Sequence, residues 1–306
     1  MHTSDQNPSS SPQTPAFYIA LDIGGSKILA ARGDARGQLL ERLRAETPLA
    51  LEAGLDLLRD MTAQLCDGAV PQAIGAAIGG PLDYHRGIVS PLHQPEWREV
   101  PLKAIMEAAF NCPFYVDVDT NAAAFGEYHL GDCTSPRLLY LTLSTGMGGG
   151  LLLDGRIYRG MNDAHPEVGH QAIPFRCAHP ERVHCECGAP DCLEGLISGN
   201  AIRRIYRKPA EQLTPAEWEE VGYNLGQGLR NLAAIYAPEV ILLGGGVAIG
   251  AGEKLLAPAR QVLRKHLRLV PVPQIRMSSL GYDAALTGAL ALAIHGAEFH
   301  TAIGPD

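Results

Sequence analysis

Three cysteine side chains lie close together in the segment CECGAPDC, at Cys185, Cys187 and Cys192. The chain has seven cysteines, an odd count, and its N-terminal residues lack the apolar core of an export signal. Both features argue against a disulfide framework and predict a cytoplasmic protein, where clustered thiols more often bind a metal than each other. One further ligand would complete a tetrahedral zinc site. The nearby candidates for it are His170, Cys177, His179 and His184.

Two glycine-rich segments occur about a half-chain apart, one at Gly24 and Gly25 and the other at 146–150. Each follows an apolar run that is typical of a β-strand, and such a loop can turn its backbone N–H groups toward a phosphate. The chain contains no GxxxxGK[ST] motif, and the glycines at 146–150 and 244–246 do not fit GxGxxG. A nucleotide held between two loops is therefore favoured, although glycines that merely form tight turns are the alternative.

Composition limits the classes of partner. The 306 residues carry a net charge of −8, which gives no electrostatic footprint for nucleic acid or an anionic membrane surface. No apolar run is long enough for a membrane span. The length favours two lobes over one compact unit, and a cleft between lobes is where a small molecule binds.

The order of the predicted elements indicates an α/β protein with two similar halves. The first half begins with three strands between residues 17 and 46, and the second repeats this plan from residue 137, where Asp154 and Gly155 form a hairpin turn. Strands are also predicted at 73–79, 113–118, 239–243 and 274–278. Helices are predicted at 49–66, 101–110, 198–208, 214–236, 252–268 and 283–297. Residues 1–15, rich in serine, proline and other polar residues, are predicted to form a disordered tail.

Four motifs in this order resemble the ROK family of sugar kinases and repressors. They are DIGGSK at 22–27, LSTGMGGGLLLDGRIYRG at 143–160, HPEVGH at 165–170 and CECGAPDCLEG at 185–195. The resemblance implies an actin-like, hexokinase-type fold with two ribonuclease-H-like lobes and a structural zinc site. We expect an N-terminal lobe over 16–117, completed by a C-terminal helix at 288–303, and a C-terminal lobe over 118–287.

The resemblance also selects among the metal-ligand candidates. It implies that His170, Cys185, Cys187 and Cys192 bind Zn²⁺. A site filled by four protein ligands has no position for a reactive water, so this Zn²⁺ would hold a loop rather than activate a nucleophile.

The resemblance implies sugar contacts from three segments of the chain. The residues that would contact the sugar are Glu167 and His170 of HPEVGH, Glu194 of CLEG and Gly80 of IGGPLD, together with Asn121. His170 would then use one ring nitrogen for Zn²⁺ and offer the other to a sugar hydroxyl.

The catalytic base is expected in the segment YVDVDTNAAAFGE, where ROK kinases commonly have NDAN followed by small residues and GE. This alignment makes Asp119 the base, which would take the proton of the attacking hydroxyl. Asp117 is the rival candidate, because two residues along a strand its side chain points to the same side.

One departure from the family pattern affects the choice of sugar. Val118 occupies the position where glucokinases and N-acylmannosamine kinases have an asparagine that bonds a sugar hydroxyl, which valine cannot do. The His-Pro-Glu of HPEVGH is closer to ROK fructokinases, whereas the CxC spacing is closer to ROK glucokinases. We predict phosphorylation of glucose at its 6-hydroxyl group, with fructokinase or N-acylhexosamine kinase activity as the alternatives.

For the nucleotide, the resemblance implies ATP with Mg²⁺, held by two phosphate loops and an adenosine-side loop. The first loop comprises Asp22, Gly24, Gly25, Ser26 and Lys27. The second comprises Thr145, Gly146, Gly148 and Gly149, and the adenosine-side loop contains Gly244 and Gly245.

Two functions from other classes compete with the kinase. A repressor would need a helix-turn-helix domain and a basic face, and neither is predicted from this charge and a tail of about 15 residues. A non-catalytic sugar-binding or regulatory protein is compatible with Val118, but Asp119 and both phosphate loops favour catalysis. The family resemblance further predicts a homodimer.

Overall fold

The computed structural model describes residues 16–299, with side chains described as far as residue 296. The tail predicted over 1–15 lies outside the described residues. So does the end of the helix predicted over 288–303.

The strands form two five-stranded sheets and one small hairpin within the described residues. In chain order they are β1 (Phe17–Ile23), β2 (Lys27–Asp34), β3 (Leu39–Glu46), β4 (Ile74–Ile78), β5 (Leu82–Asp83), β6 (Ile88–Val89), β7 (Phe114–Val118), β8 (Leu138–Leu143), β9 (Met147–Leu153), β10 (Arg156–Ile157), β11 (Val240–Gly244) and β12 (Gln274–Met277). The strands predicted from the sequence are present, and their ends differ by one or two residues.

The two sheets have the same topology, which confirms the predicted duplication. The first has the order β3-β2-β1-β4-β7 and the second β10-β9-β8-β11-β12. In each sheet the first three strands in chain order are antiparallel neighbours, and the remaining two add in parallel. Parallel strands need helical crossovers, so each half must supply them.

The helices are α1 (Leu51–Cys66), α2 (Leu102–Phe110), α3 (Asp119–His129), α4 (Glu194–Ile197), α5 (Gly199–Tyr206), α6 (Pro215–Tyr236), α7 (Gly246–Ala251), α8 (Glu253–His266) and α9 (Ala284–Phe299). Helix α6 begins at a capping box in which Thr214 and Glu217 satisfy each other's backbone amides, with Pro215 in the first turn. None of the helices within 16–299 combines the length and hydrophobicity needed to cross a membrane.

Helices α3 and α9 pack against each other between the two sheets. Their contact is close because Gly288 lies against the backbone of Ala122, where an added Cβ would be 2.1 Å from the carbonyl oxygen. A hydrophobic cluster at this contact includes Ala20 and Ala77 from the first sheet and Leu242 from the second. A separate cluster fills the outer face of each sheet. The lobe boundary between 117 and 118 remains a prediction; β7 ends at 118.

Candidate functional site

The first glycine segment forms the turn between β1 and β2. The Gly24 amide donates to the carbonyl of Lys27 at 3.0 Å, and the Thr47 hydroxyl donates to the carbonyl of Gly24 at 2.6 Å. Gly25, Ser26 and Lys27 are exposed. A Cβ at Gly25 would lie 2.8 Å from Cβ of His93, so only glycine allows this close approach. The turn is therefore fixed in shape and open to a ligand.

The second glycine segment forms the turn between β8 and β9. Thr145 is exposed, and the backbone amides of Gly199 and Asn200 at the start of α5 donate to the carbonyls of Ser144 and Thr145 at 2.7 and 3.1 Å. Helix α5 therefore supports this turn from behind.

Gly148 and Gly149 differ from their predicted place in that turn. They belong to β9, opposite Thr142 and Leu141 of β8. A Cβ at Gly148 would lie 2.9 Å from Cγ2 of Thr120, and one at Gly149 would lie 2.6 Å from Cγ2 of Val168. Close packing of β9 against neighbouring segments explains both glycines, and the loop itself is limited to 144–146.

The third glycine segment joins β11 to α7, as the sequence predicted. A Cβ at Gly244 would lie 2.1 Å from the hydroxyl oxygen of Tyr140. Gly245 has φ of +84° and faces the carbonyl of Leu143, so a side chain is excluded there as well. Gly246 starts the helix beside the exposed ring of Tyr282.

Asp119 is the first residue of α3, at the point where β7 ends. Its Oδ1 accepts a hydrogen bond from the Thr120 amide at 2.7 Å. Burial raises the pKa of Asp119, while the Thr120 amide, His165 and His93 act in the opposite direction and Glu167 adds to the rise. Asp119 therefore faces residues of the first half, such as His93, and of the HPEVGH segment.

Asp22 shares the electrostatic environment of Asp119. Burial raises the pKa of Asp22 to about 7; the charges of Asp119 and Asp283 contribute in the same direction, and Lys27 opposes them. A buried carboxyl group whose ionisation a neighbouring carboxylate disfavours is suited to bind a cation or a proton. The predicted base and the first phosphate loop thus face one site.

Asp117, the rival base, is fully buried. Its Oδ1 accepts hydrogen bonds from the Val118 amide at 2.7 Å and from Nδ2 of Asn121 at 2.9 Å, and its Oδ2 pairs with the guanidinium of Arg159. Asn121 is also buried, at 1% exposure. The structure thus directs Nδ2 of Asn121 at Asp117, whereas its Oδ1 has no hydrogen-bond partner within the described residues, and the predicted substrate contact of Asn121 remains a prediction.

The metal-ligand candidates His170, Cys185, Cys187 and Cys192 come together. Their ligand atoms all lie within 4.8 Å of one another. Nδ1 of His170 is 3.3 Å from Sγ of Cys185, and the sulfurs of Cys187 and Cys192 are 3.4 Å apart. Three thiols and one imidazole are the donor set that tetrahedral zinc sites use, so these residues fit Zn²⁺. Cys177, His179 and His184 are outside this group.

The other ring nitrogen of His170 points toward Glu167, with Nε2 3.9 Å from Oε2. The second oxygen of Glu167 lies 3.5 Å from Nε2 of His165. His165 in turn faces Gly80, since a Cβ there would be 3.4 Å from Cε1 of the ring and 3.8 Å from Cγ2 of Val118. Gly80, Glu167 and His170 are thereby brought to one side of Asp119.

Glu194 has a structural partner in the second loop. As the first residue of α4 it accepts a hydrogen bond from the Met147 amide at 3.1 Å through Oε2. A Cβ at Gly146 would lie 3.5 Å from the same oxygen. One carboxylate oxygen thus holds the start of β9, directly after the second glycine turn, and a sugar contact through Glu194 remains a prediction.

Sequence reasoning missed three side chains at this site. His93 and His165 both act on Asp119, and Arg159 pairs with the carboxylate two residues before it. His93 lies in a loop without any spacing signal. His165 and Arg159 are part of the quoted motifs HPEVGH and RIYRG, which marked the segments but did not assign these residues a role.

The comparisons with known proteins agree with this geometry. A model of the ROK family matches residues 18–295. The chain is 30% identical to a glucokinase of Streptomyces coelicolor, covering 90% of this chain and 96% of the relative. It is 32% identical to a fructokinase of Zymomonas mobilis, covering 91% and 96%.

A solved structure matches over almost the same range. It is a ROK family glucokinase from Streptomyces griseus in complex with glucose and AMPPNP, with a TM-score of 0.75 and 29% identity. The match covers 91% of this chain and 99% of that one. The two sheets of identical topology are therefore the actin-like, hexokinase-type α/β fold.

Proposed function

The chain belongs to the ROK family, and from that premise we propose that it is an ATP-dependent hexose kinase acting on the 6-hydroxyl group of glucose. The main support is the position of Asp119. This carboxyl group lies at the start of α3, where its charge raises the pKa of Asp22 and where Glu167 in turn raises the pKa of Asp119. A base between a phosphate loop and polar groups suited to a sugar is the arrangement that phosphoryl transfer to an alcohol needs.

The reaction follows from this arrangement. Asp119 accepts the proton of the sugar hydroxyl, whose oxygen forms a bond to the γ-phosphorus of ATP. The bond between that phosphorus and the β,γ-bridging oxygen breaks, and ADP leaves with the bonding electrons. The turns at 24–26 and 144–146 would hold the phosphates through backbone amides, and Asp22 would hold Mg²⁺, which would neutralise phosphate charge.

The sugar would lie on the side of Asp119 where Gly80, Glu167 and His170 meet. Glu167 is well exposed, with 62% of its side chain accessible, so its carboxylate is free to accept hydrogen bonds from hydroxyl groups. The lack of a side chain at Gly80 gives a hexose room beside His165. A contact from Asn121 to the sugar would use its Oδ1, because its Nδ2 is bound to Asp117.

Zinc has a structural role in this proposal. When bound, Zn²⁺ supplies a tetrahedral cross-link among His170, Cys185, Cys187 and Cys192 and no reactive water. His170 uses Nδ1 toward the thiols, which leaves Nε2 on the side of Glu167. The cross-link therefore sets the direction of a ring that faces the sugar.

Fructose is the second candidate substrate, and one observation favours it. Val118 cannot hydrogen-bond a hydroxyl group, whereas His165, from the His-Pro-Glu segment, lies beside the same glycine, Gly80. A site that uses His165 in place of an asparagine would select a different hexose. An N-acylhexosamine is the third candidate, and a homodimer remains our prediction for the assembly.

The proposal is tested by coupled ADP release with Mg-ATP across glucose, fructose, mannose, N-acetylmannosamine and N-acetylglucosamine, together with Asp119→Asn. We expect sugar-dependent turnover with glucose preferred, and a loss of roughly 10²- to 10⁴-fold in Asp119→Asn, because the base is removed while its shape is kept. Glu41→Gln, an exposed carboxylate on the edge strand β3, is the matched control and should retain full activity.

Each other result has a definite meaning. Preference for fructose would keep the kinase and replace glucose as its substrate. Folded, zinc-loaded protein without turnover on any of these sugars would reject the kinase and favour a non-catalytic sugar-binding protein. Full activity in Asp119→Asn would reject Asp119 as the base.

A further inference from the structure

The carboxylate of Asp117 is an unusual element of the site because it is completely buried. A buried charge is costly unless it is paired and hydrogen-bonded. Both oxygens of Asp117 accept hydrogen bonds. The Val118 amide and Nδ2 of Asn121 donate to Oδ1, and the guanidinium of Arg159 donates to Oδ2. This carboxylate therefore ties together the end of β7 and the first turn of α3, which contains Asp119.

Arg159 reaches this carboxylate from the other half of the chain. It follows β10, a strand of the second sheet, and only 14% of its side chain is exposed. The guanidinium carbon lies 3.5 Å from the ring centroid of Tyr84, next to β5 in the first half. One planar cation is thus held between a carboxylate and an aromatic face, a geometry suited to arginine and poorly matched by lysine.

Two neighbouring contacts cross between the same segments. Nε2 of His85 is 3.1 Å from Oδ2 of Asp163, and His165 faces Gly80. The segment from Arg159 to His165 consequently lies along β5 and the residues on either side of it, from Gly80 to His85. The most buried of these contacts is the Arg159–Asp117 pair, and it is also the nearest in sequence to Asp119.

We propose that Arg159 is a positioning residue: its ion pair with Asp117 holds the turn from β7 to α3 so that Asp119 is aligned for proton transfer. The inference rests on the proposed function, since it takes Asp119 as the base. It assigns Asp117 to alignment rather than to proton transfer. It also makes the alignment depend on the second sheet, because Arg159 is attached to that sheet.

The expected effect is on turnover rather than on binding. Displacing a reacting group by about 1 Å can lower a rate by about 10²-fold while the substrates still bind. Neither Arg159 nor Asp117 belongs to the predicted contacts with ATP or sugar. Loss of the pair should therefore reduce kcat and leave both KM values nearly unchanged.

The test compares Arg159→Met, Arg159→Lys, Asp117→Asn and the double variant Arg159→Met/Asp117→Asn in the sugar-kinase assay. Arg156→Met is the matched control, since Arg156 is exposed on the same hairpin. We expect Arg159→Met to lower kcat by about 10²-fold with KM values within about threefold. Arg159→Lys should have a kcat about tenfold higher than that of Arg159→Met, because lysine restores the positive charge but not the planar geometry of the guanidinium.

The double variant shows whether the loss of kcat in Arg159→Met arises through Asp117 or independently of it. If Arg159 acts through Asp117, the double variant should be no slower than the slower single variant, because both substitutions remove one interaction. Asp117→Asn should also retain more activity than Asp119→Asn. Melting temperatures and zinc content of every variant identify losses caused by unfolding, and Arg159→Lys keeps the test informative if Arg159→Met does not fold.

Several outcomes would overturn the inference alone. They are a kcat of Arg159→Met within about twofold of wild type, losses that multiply in the double variant, a change confined to KM, or an Asp117→Asn protein as inactive as Asp119→Asn. Absence of sugar-dependent turnover in the wild-type protein would instead reject the proposed function, and this inference with it.

Discussion

At the scale of single residues, the site contains two buried carboxyl groups, Asp22 and Asp119, and the charge of Asp119 acts on Asp22. Both carboxyl groups have a raised pKa, first because they are removed from water, and the charge of Asp119 further raises the pKa of Asp22. A base with a raised pKa accepts a proton more readily. A carboxylate that lies near a second negative charge is stabilised more strongly by a bound cation than an isolated one. The same burial would favour both steps of the proposed function, proton acceptance by Asp119 and Mg-ATP binding at Asp22.

These shifts predict an acid-side loss of activity. In the proposed function Asp119 is ionised when it accepts a proton and Asp22 is ionised when it holds Mg-ATP, so protonation of either one should stop turnover. We expect kcat/KM for ATP to fall as the pH drops through about 7, the pKa of Asp22 in the free protein. At saturating Mg-ATP the decline of kcat should move to lower pH, because the bound cation favours the ionised form. A pH-independent kcat/KM between about pH 5 and 8 would contradict this account.

At the scale of elements, the segment 171–193 carries the three cysteines of the Cys/His cluster and has little regular structure. It contains one three-residue 3-10 turn and a single bridge between Ala172 and Cys192. Backbone hydrogen bonds from Leu193 to Gln171 and from Ile173 to Asp191 close its two ends together. Helices α5 and α6 hold its middle, since Arg204 donates to the carbonyls of Arg182 and His184 and the side chain of Asn224 pairs with the backbone of Arg176. A bound metal would add a cross-link at the cysteines, where regular structure is absent from the described residues.

Loss of a ligand should consequently release zinc and loosen this segment. In Cys187→Ser we expect the bound zinc to be lost and the Tm to fall by roughly 5 °C or more, since metal binding contributes to folding. Cys177→Ser is the matched control because Cys177 lies outside the cluster and should keep the metal. Metal analysis and thermal melting measure both effects. Equal zinc content in the two variants would exclude Cys187 as a ligand.

At the scale of the whole molecule, the two sheets are joined through α3 and α9. His129 of α3 stacks on His295 of α9, with ring centroids 4.4 Å apart and planes inclined by 29°. Phe125 and Tyr128 pack around His129, whose Nε2 has no hydrogen-bond partner within 16–299. Burial, and then the charge of His295, lowers the pKa of His129 to about 4.

This contact predicts a pH-dependent stability. In the unfolded chain His129 takes up a proton near its usual pKa of 6.5, whereas the folded protein resists it down to about 4. The contribution of His129 to stability is thus complete above pH 6.5 and is lost as the pH falls toward 4. In His129→Phe, which keeps an aromatic ring without a titrating group, we expect a smaller drop in Tm between about pH 7 and 5.

The control for this experiment is His266→Phe, at the exposed end of α8. It removes a histidine that no aromatic contact surrounds among the described residues. Its Tm should follow the pH as in the wild-type protein. If His129→Phe and His266→Phe lose the same Tm on acidification, the α3–α9 contact is not the source of the pH dependence.

Much of the fold follows from local patterns. The predicted helix at 214–236 matches α6 because Thr214, Pro215 and Glu217 form a start signal that needs no distant partner. The first three strands of each half were equally readable from their apolar runs and turns. Helix α3 was not predicted, because it is buried on nearly every side and its sequence DTNAAAFGEYH shows no amphipathic period.

For the site, the spacing of Cys185, Cys187 and Cys192 was enough to predict a metal cluster, since short spacings constrain where side chains can meet. Only the tertiary structure could bring Arg159 to Asp117, 42 residues apart, or place His93 and His165 around Asp119. Such contacts arise where two sheets meet, and their geometry depends on the packing of α3 and α9 between them. A local pattern records which face of its own element is buried and carries no information about the residue opposite.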